Sequence, residues 1–302
     1  MILSPPESWK ILAWNGVSLR VPHHWEVNLL DKSYLQLDDG MGPVMEMKWQ
    51  QLRGRFSHRA HLRKLVKSSS VASNLSFHQR PLPEKWHQVL GNFETLSFEW
   101  HGTKIAGEGA IIYCNSCQKA TLIQFYRKTS RDDPQVPVGV LSSLRDHSED
   151  GRVEWAVFGL RALVPERFDL LEHRFHPGHY QLLFQARHER VHLRRWGPAG
   201  ILLAGGDLRD WFQKNCKDSR WCNPSSFKKI DYGGNPAVQG QSQRSDSFAA
   251  RLRARMTRKL PHCWIRIWHL RDHNQILSVE ARGLRPVDAP LLEEICYNYE
   301  VV

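Results

Sequence analysis

Short runs of alternating apolar and polar residues recur along the chain, and two of them are nearly the same run. In "GVSLRVPHHWEV", from Gly16, the apolar Val17, Leu19 and Val21 alternate with Ser18 and Arg20. "GLRALVPERFDL", from Gly159, repeats the design: glycine, alternation, Val-Pro, two polar residues, a large aromatic. Period-2 alternation of this length predicts half-buried strands. The match continues downstream. "YLQL" at Tyr34 answers "YQLL" at Tyr180, and "VMEMKW", ending at Trp49, answers "VHLRRW", ending at Trp196. The offset between partners drifts only from 143 to 146 to 147. Order and spacing kept through three segments indicate an internal duplication, with small loop insertions in the second copy.

The strand pattern gives way to helical spacing at equivalent places. "SHRAHLRKLVKSSS" offers Ser57 as N-cap and Ala60, Leu62, Leu65 and Val66 as an apolar stripe. "GDLRDWFQKNCK" offers Asp207 as cap and Leu208, Trp211 and Phe212 as stripe. Strands resume with "ETLSFEWHG" and the hairpin "KIAGEGAIIY"/"ATLIQFYRK", and in the second copy with "HCWIRIWHL"/"QILSVEARG". Each copy closes on a helix, "VPVGVLSSLRDH" and "RPVDAPLLEEICYNY". The predicted order is β-β-β-α-β-β-β-β-α per copy. This is an α+β chain of two tandem similar domains, residues 1–150 and 151–302, each an antiparallel β-sheet covered by helices.

That order, with "VSLRVPHHW", "LRALVPERF", "GGNPAVQG" at Gly233 and the final hairpin plus helix, resembles the PsbP-like fold. The extrinsic photosystem II protein and the Ran-binding Mog-type proteins share it. The resemblance implies an α/β/α sandwich in each half and a binding role without naming a partner.

Composition narrows the classes. Over 302 residues, 41% hydrophobic and 24% charged content suits a folded chain of two ordinary domains. No apolar run reaches the roughly 18 residues of a membrane span, and "MILSPPESWK" has no signal-peptide pattern. A cytoplasmic protein is the expectation. The formal charge of +11 favours acidic partners. The excess lies in the second half, with 24 Lys/Arg against 16 Asp/Glu, compared with 18 against 15 before Gly151. Six cysteines in such a chain read as reduced thiols or metal ligands. Cys263 and Cys296 read as small buried apolar residues.

The candidate chemistry sits at the last hairpin of each copy. Matching Tyr113 with Trp268 sets Cys-x-x-Cys, Cys114 and Cys117, against His-x-x-x-His, His269 and His273. Both spacings are those of zinc ligands, and a pseudo-dimer of the two copies would bring the tips together around a structural zinc. A plain turn with free thiols and a redox dithiol remain alternatives. A dithiol normally uses a helix N-terminus to activate its thiolate. Cys216 and Cys222 are rival ligands. In "FAARLRARMTRK", Arg251, Arg253 and Arg255 alternate with apolar residues, as in a strand carrying an arginine ladder. Such a ladder would hold phosphates, nucleic acid or an acidic protein. No Walker loop, dinucleotide fingerprint or nucleophile elbow is present. The sequence therefore reads as a non-catalytic binding or assembly protein acting on a protein partner. Nucleic-acid binding through the arginine strand is the second reading and a metal-dependent enzyme the third.

Overall fold

The computed structural model describes residues 9–63, 75–103, 105–127, 133–215, 227–242 and 260–302. The chain divides into two compact units, residues 1–159 and 160–302. The alternating runs are strands in both.

In the first unit β1 (Trp9–Trp14) and β2 (Val17–Pro22) form a hairpin. Its tip, Asn15 and Gly16, has φ of 46° and 80°, the left-handed pair that a two-residue hairpin turn demands. Val17, Leu19 and Val21 are buried and Arg20 is exposed, as the alternation predicts. β10 (Arg152–Val157) pairs antiparallel with β1, and Trp155 meets Trp14 edge-on at 5.1 Å. The main sheet has seven strands: β3 (Glu26–Asp31), β4 (Tyr34–Asp38), β5 (Pro43–Gln51), β6 (Ser76–Arg80), β7 (Glu94–His101), β8 (Ala106–Cys114) and β9 (Lys119–Arg127). Their order is β3-β4-β5-β9-β8-β7-β6, antiparallel throughout. Phe98, Trp100 and Ile111 core one face, with Phe56 and Leu62 packed on them. Ser57 caps the helical residues 58–63, its Oγ accepting from the Ala60 N–H at 3.4 Å. On the other face Trp86 of α1 (Glu84–Val89) meets Phe125 at 5.9 Å, and α1 lies against α2 (Gln135–Ser142).

In the second unit the main sheet comprises β12 (Asp169–His176), β13 (His179–Ala186), β14 (Glu189–Trp196), β15 (Phe227–Tyr232), β16 (Asn235–Ser242), β17 (His262–Leu270) and β18 (Gln275–Gly283). The order is β12-β13-β14-β18-β17-β16-β15. α3 (Ala199–Leu203) and α4 (Leu208–Asn215) cover one face, over Trp196, Val238, Ile265, Ile267 and Ile276. Asp207 caps α4 through the Arg209 N–H at 2.8 Å. α5 (Ala289–Tyr297) starts at its N-cap Asp288 and buries Leu292, Ile295 and Cys296. β11 (Leu160–Pro165) pairs with β19 (Glu300–Val301). The first sheet face also carries a buried ionic group: Glu280 pairs with Arg282 and, at 3.6 Å, with Arg194. Arg194 in turn donates to His192 Nδ1 at 2.8 Å.

Strand for strand the two sheets have the same order, so the chain is α+β with two similarly built seven-stranded antiparallel sheets, each flanked by helices. Two details differ from the expectation. Five strands, not three, precede the first helix of each copy, and the short α1 and α3 went unpredicted. The register of the match also slips. The rungs closing the two hairpins are Cys114↔Lys119 and Leu270↔Gln275. Counted from them, Tyr113 corresponds to His269, and Trp49, opposite Thr121, corresponds to Arg195, opposite Leu277. A one-residue slip turns a side chain to the other face. Trp49 accordingly donates to the Asn15 carbonyl at 3.3 Å, whereas Trp196 lies under α4, edge-on to Trp211 at 5.4 Å.

Candidate metal centre

Cys114 is the last residue of β8, and the four residues after it turn the chain into β9. Gln118 takes the left-handed conformation, φ 56°, that closes this turn. The turn carries Cys117 back beside Cys114. Asn115 anchors its outer side by donating to Glu94 Oε1 at 2.9 Å, and Phe56 stacks on Tyr113 at 4.3 Å.

A second segment meets this tip. α2 ends at Ser142, and Leu144 then buries. Arg145 exchanges both backbone hydrogen bonds with Ser18 of β2, each 2.8 Å. That clasp delivers the next two residues, Asp146 and His147, to the hairpin tip. Lys119 secures the same spot: its Nζ donates to the Gly16 carbonyl at 2.8 Å and to the Asp146 carbonyl.

Among the described residues, the ligand-type side chains close enough to share one ion are Cys114, Cys117, Asp146 and His147, with donor atoms all within 4.8 Å of one another. Cys117 Sγ lies 3.3 Å from Asp146 Oδ2, His147 Nδ1 2.7 Å from Asp146 Oδ1, and Cys114 Sγ 3.8 Å from His147 Nδ1. Tetrahedral zinc, with Zn–S of about 2.3 Å and Zn–N of about 2.0 Å, sets its ligand atoms about 3.3–3.8 Å apart. Cys114 and Asp146 are buried, Cys117 is half-buried and His147 faces outward. Burial, and then the neighbouring Asp146 carboxyl, push the Cys117 thiol up to about 12. A cation bound at the centre would take the place of that proton.

The four side chains converge closely enough to share one ion, and their present contacts are hydrogen bonds. In a nucleophile–imidazole–carboxylate triad the two ring nitrogens serve different partners. Here one nitrogen, His147 Nδ1, faces both the thiol of Cys114 and the carboxylate of Asp146. Two thiolates, a carboxylate and a neutral imidazole would hold a divalent ion with one negative charge in excess, and the Lys119 ammonium stands against the ligating loop to offset it.

Of the residues singled out from sequence, Cys114 and Cys117 meet here, joined by Asp146 and His147 of the first unit. His269 and His273 belong to the second unit: His269 on β17, its imidazole pushed down by burial and then by Arg271, and His273 in the exposed turn Arg271–His273. Arg251, Arg253, Arg255, Cys216 and Cys222 lie outside the described residues. The pattern of "VPVGVLSSLRDH" predicts Asp146 and His147 on a helix, but α2 ends at Ser142 and leaves both in the loop beyond it. The adjacent Asp-His pair was their only sequence signal. Cys296 is a buried free thiol as expected, pushed up to about 12 by burial. Cys263 corrects the expectation of reduced cysteines: it is buried on β17 but disulfide-bonded.

No family model and no curated protein matches the chain. Solved structures resemble it at low identity. The apo immunity protein TplEi of the Pseudomonas aeruginosa type VI secretion system aligns over 97% of each chain, at 11% identity and a TM-score of 0.36. The Saccharomyces cerevisiae Ran-binding protein Mog1p aligns over 50% of this chain and 95% of its own, at 11% identity and a TM-score of 0.30. A Bacteroides thetaiotaomicron protein aligns over 52% of this chain and 53% of its own, at 10% identity and a TM-score of 0.31. Among the described residues, no helix is long and apolar enough to cross a membrane.

Proposed function

We propose that the protein is a non-catalytic binding or assembly protein of two tandem modules, whose first module is pinned by a structural zinc ion at Cys114, Cys117, Asp146 and His147. The observation that carries the reading is the closed set of four convergent donors within 4.8 Å. Four protein ligands satisfy tetrahedral zinc and leave no place for the water or substrate that a catalytic zinc keeps. Two sulfurs in the set select zinc over magnesium or calcium. The ion would tie the β8–β9 tip to the segment clasped on β2 and hold that end of the sandwich rigid for a partner. The formal charge of +11 fits a partner with an acidic protein surface.

Metal analysis of the purified full chain tests the reading. About one zinc per chain is expected, lost in Cys114→Ser/Cys117→Ser and in Asp146→Ala/His147→Ala, and kept in His269→Asn/His273→Asn. A chain that purifies without zinc and takes up none rejects the zinc site. Retention in the first two variants with loss in the third moves it to the histidines of the second unit.

A further inference from the structure

Between Glu46 and Glu84 the chain carries no acidic residue, although at its average of 31 Asp/Glu in 302 residues this stretch would hold about four. The same stretch carries eight Lys and Arg. Arg53, Arg55, Arg59 and Arg63 are exposed, and none has a carboxylate within ion-pair distance among the described residues. Arg127 and Arg152 of the same unit, also exposed, lie 2.8 and 3.7 Å from Glu108 and Asp150. The four arginines are therefore a surface without its counter-charge.

Their backbone is anchored. The Leu52 N–H donates to the Gln118 carbonyl at 3.0 Å, and the Gln51 amide donates to the Cys117 carbonyl. Phe56 and Leu62 pack on Phe98, Trp100 and Ile111, and a ring nitrogen of His58 lies 2.9 Å from the Glu94 carbonyl. Arg59 and Arg63 stand one helical turn apart, with Arg63 Nε donating to the Arg59 carbonyl at 3.4 Å. A partner that binds here need not order this segment first.

Ser57, His58 and Arg59 line a cleft of about 500 Å³ together with Gln79, Leu82 and Leu96. Gln79 pairs with Phe98, two residues along from Leu96, so both side chains lie on the sheet face that Phe56 and Leu62 cover. Arg80 turns to the other face and meets Glu108 at 3.0 Å, which leaves Arg59 as the unpaired arginine of the cleft. Among the described residues, no carboxylate lines it.

We propose that this segment and its cleft are the docking surface for an extended acidic segment of a protein partner. Its carboxylates would meet Arg53, Arg55, Arg59 and Arg63, and its apolar side chains Leu82 and Leu96. The planar guanidinium fork matches a carboxylate. Nucleic acid fits less well, because Phe56 is enclosed by Tyr113, His58 and His61 and offers no face for a base to stack on. The inference rests on the reading above of a binding protein with an acidic partner, and it places that partner on the first unit.

Fluorescence anisotropy of a labelled peptide of alternating Glu and Leu, titrated with the full chain at about 0.1 M salt, is the test. Oligonucleotides of the same charge are the comparison. Arg53→Gln/Arg55→Gln and Arg59→Gln/Arg63→Gln should each weaken peptide binding about fivefold or more. Lys214→Gln/Lys228→Gln removes the same charge from exposed sites of the second unit and should cost less than about twofold. All six side chains are exposed, so the variants should fold. Binding that is unchanged in both arginine variants, or weakened as much by the lysine pair, overturns the surface and leaves the acidic partner standing. A peptide that does not bind at all removes both. Oligonucleotides held more tightly than the peptide, and lost in the arginine variants, would make the face a nucleic-acid site and likewise overturn the proposal.

Discussion

Removing the metal should cost the first unit a calculable part of its stability. The ion would bridge Cys114 and His147, 33 residues apart. A cross-link over that span restricts the unfolded chain, and the chain-entropy relation gives about 3.7 kcal/mol at 25 °C. Linkage gives a similar figure, about 4.1 kcal/mol, for free zinc at a thousand times its dissociation constant. The unit comprises 159 residues. For that size each kcal/mol moves the midpoint by about 2–4 °C, so chelation should lower it by about 7–15 °C. The loop should not be lost outright, because the Arg145–Ser18 clasp and the Lys119 contacts remain without metal. Differential scanning calorimetry of the chelated and zinc-loaded full chain reads the midpoint. Hydrogen exchange at Ser18, Arg145 and Lys119 reads the loop. Midpoints within about 2 °C of each other, together with equal exchange, would refute the reasoning.

Three further outcomes follow from packing and charge. His192 is pushed down to about 2, first by burial and then by the Arg194 cation. It stays neutral in the fold while the unfolded chain takes up the proton below about pH 6.5, so its contribution is full above that pH and drains away as pH falls. Urea midpoints should show that His192→Gln loses about 2 kcal/mol less than the parent chain between pH 7 and pH 5; equal losses would show that His192 titrates normally in the fold. Gly107→Ala would set a Cβ 2.4 Å from the Phe125 carbonyl and from the Trp100 ring. It should destabilise the first unit by about 2–3 kcal/mol in urea unfolding, and a cost under about 0.5 kcal/mol would contradict so close a backbone approach. Glu280→Gln would remove the carboxylate that Arg194 and Arg282 share in the buried face. A loss of about 3 kcal/mol or more is expected by thermal denaturation, and a neutral result would mean that the arginines are stabilised by other groups.

The sequence by itself determined the alternating strands it marked, the recurrence of a similar sheet in each half and the cysteine pair. Alternation is a local property: Val17, Leu19 and Val21 must share a face wherever the strand lies, and they are all buried. The caps Ser57, Asp207 and Asp288 act on N–H groups two or three residues away, within reach of a local reading. Cys114 and Cys117 are likewise brought together by their own turn. Tertiary structure alone decided what joins them. Asp146 and His147 reach the hairpin because Arg145 pairs with Ser18, 127 residues earlier in the chain, and because Lys119 binds the Asp146 carbonyl. No periodicity records such a pairing. The same holds for register: matched tryptophans, Trp49 and Trp196, face opposite sides because one residue of slip inverts a pleated strand, and only the hydrogen-bonded rungs count that residue.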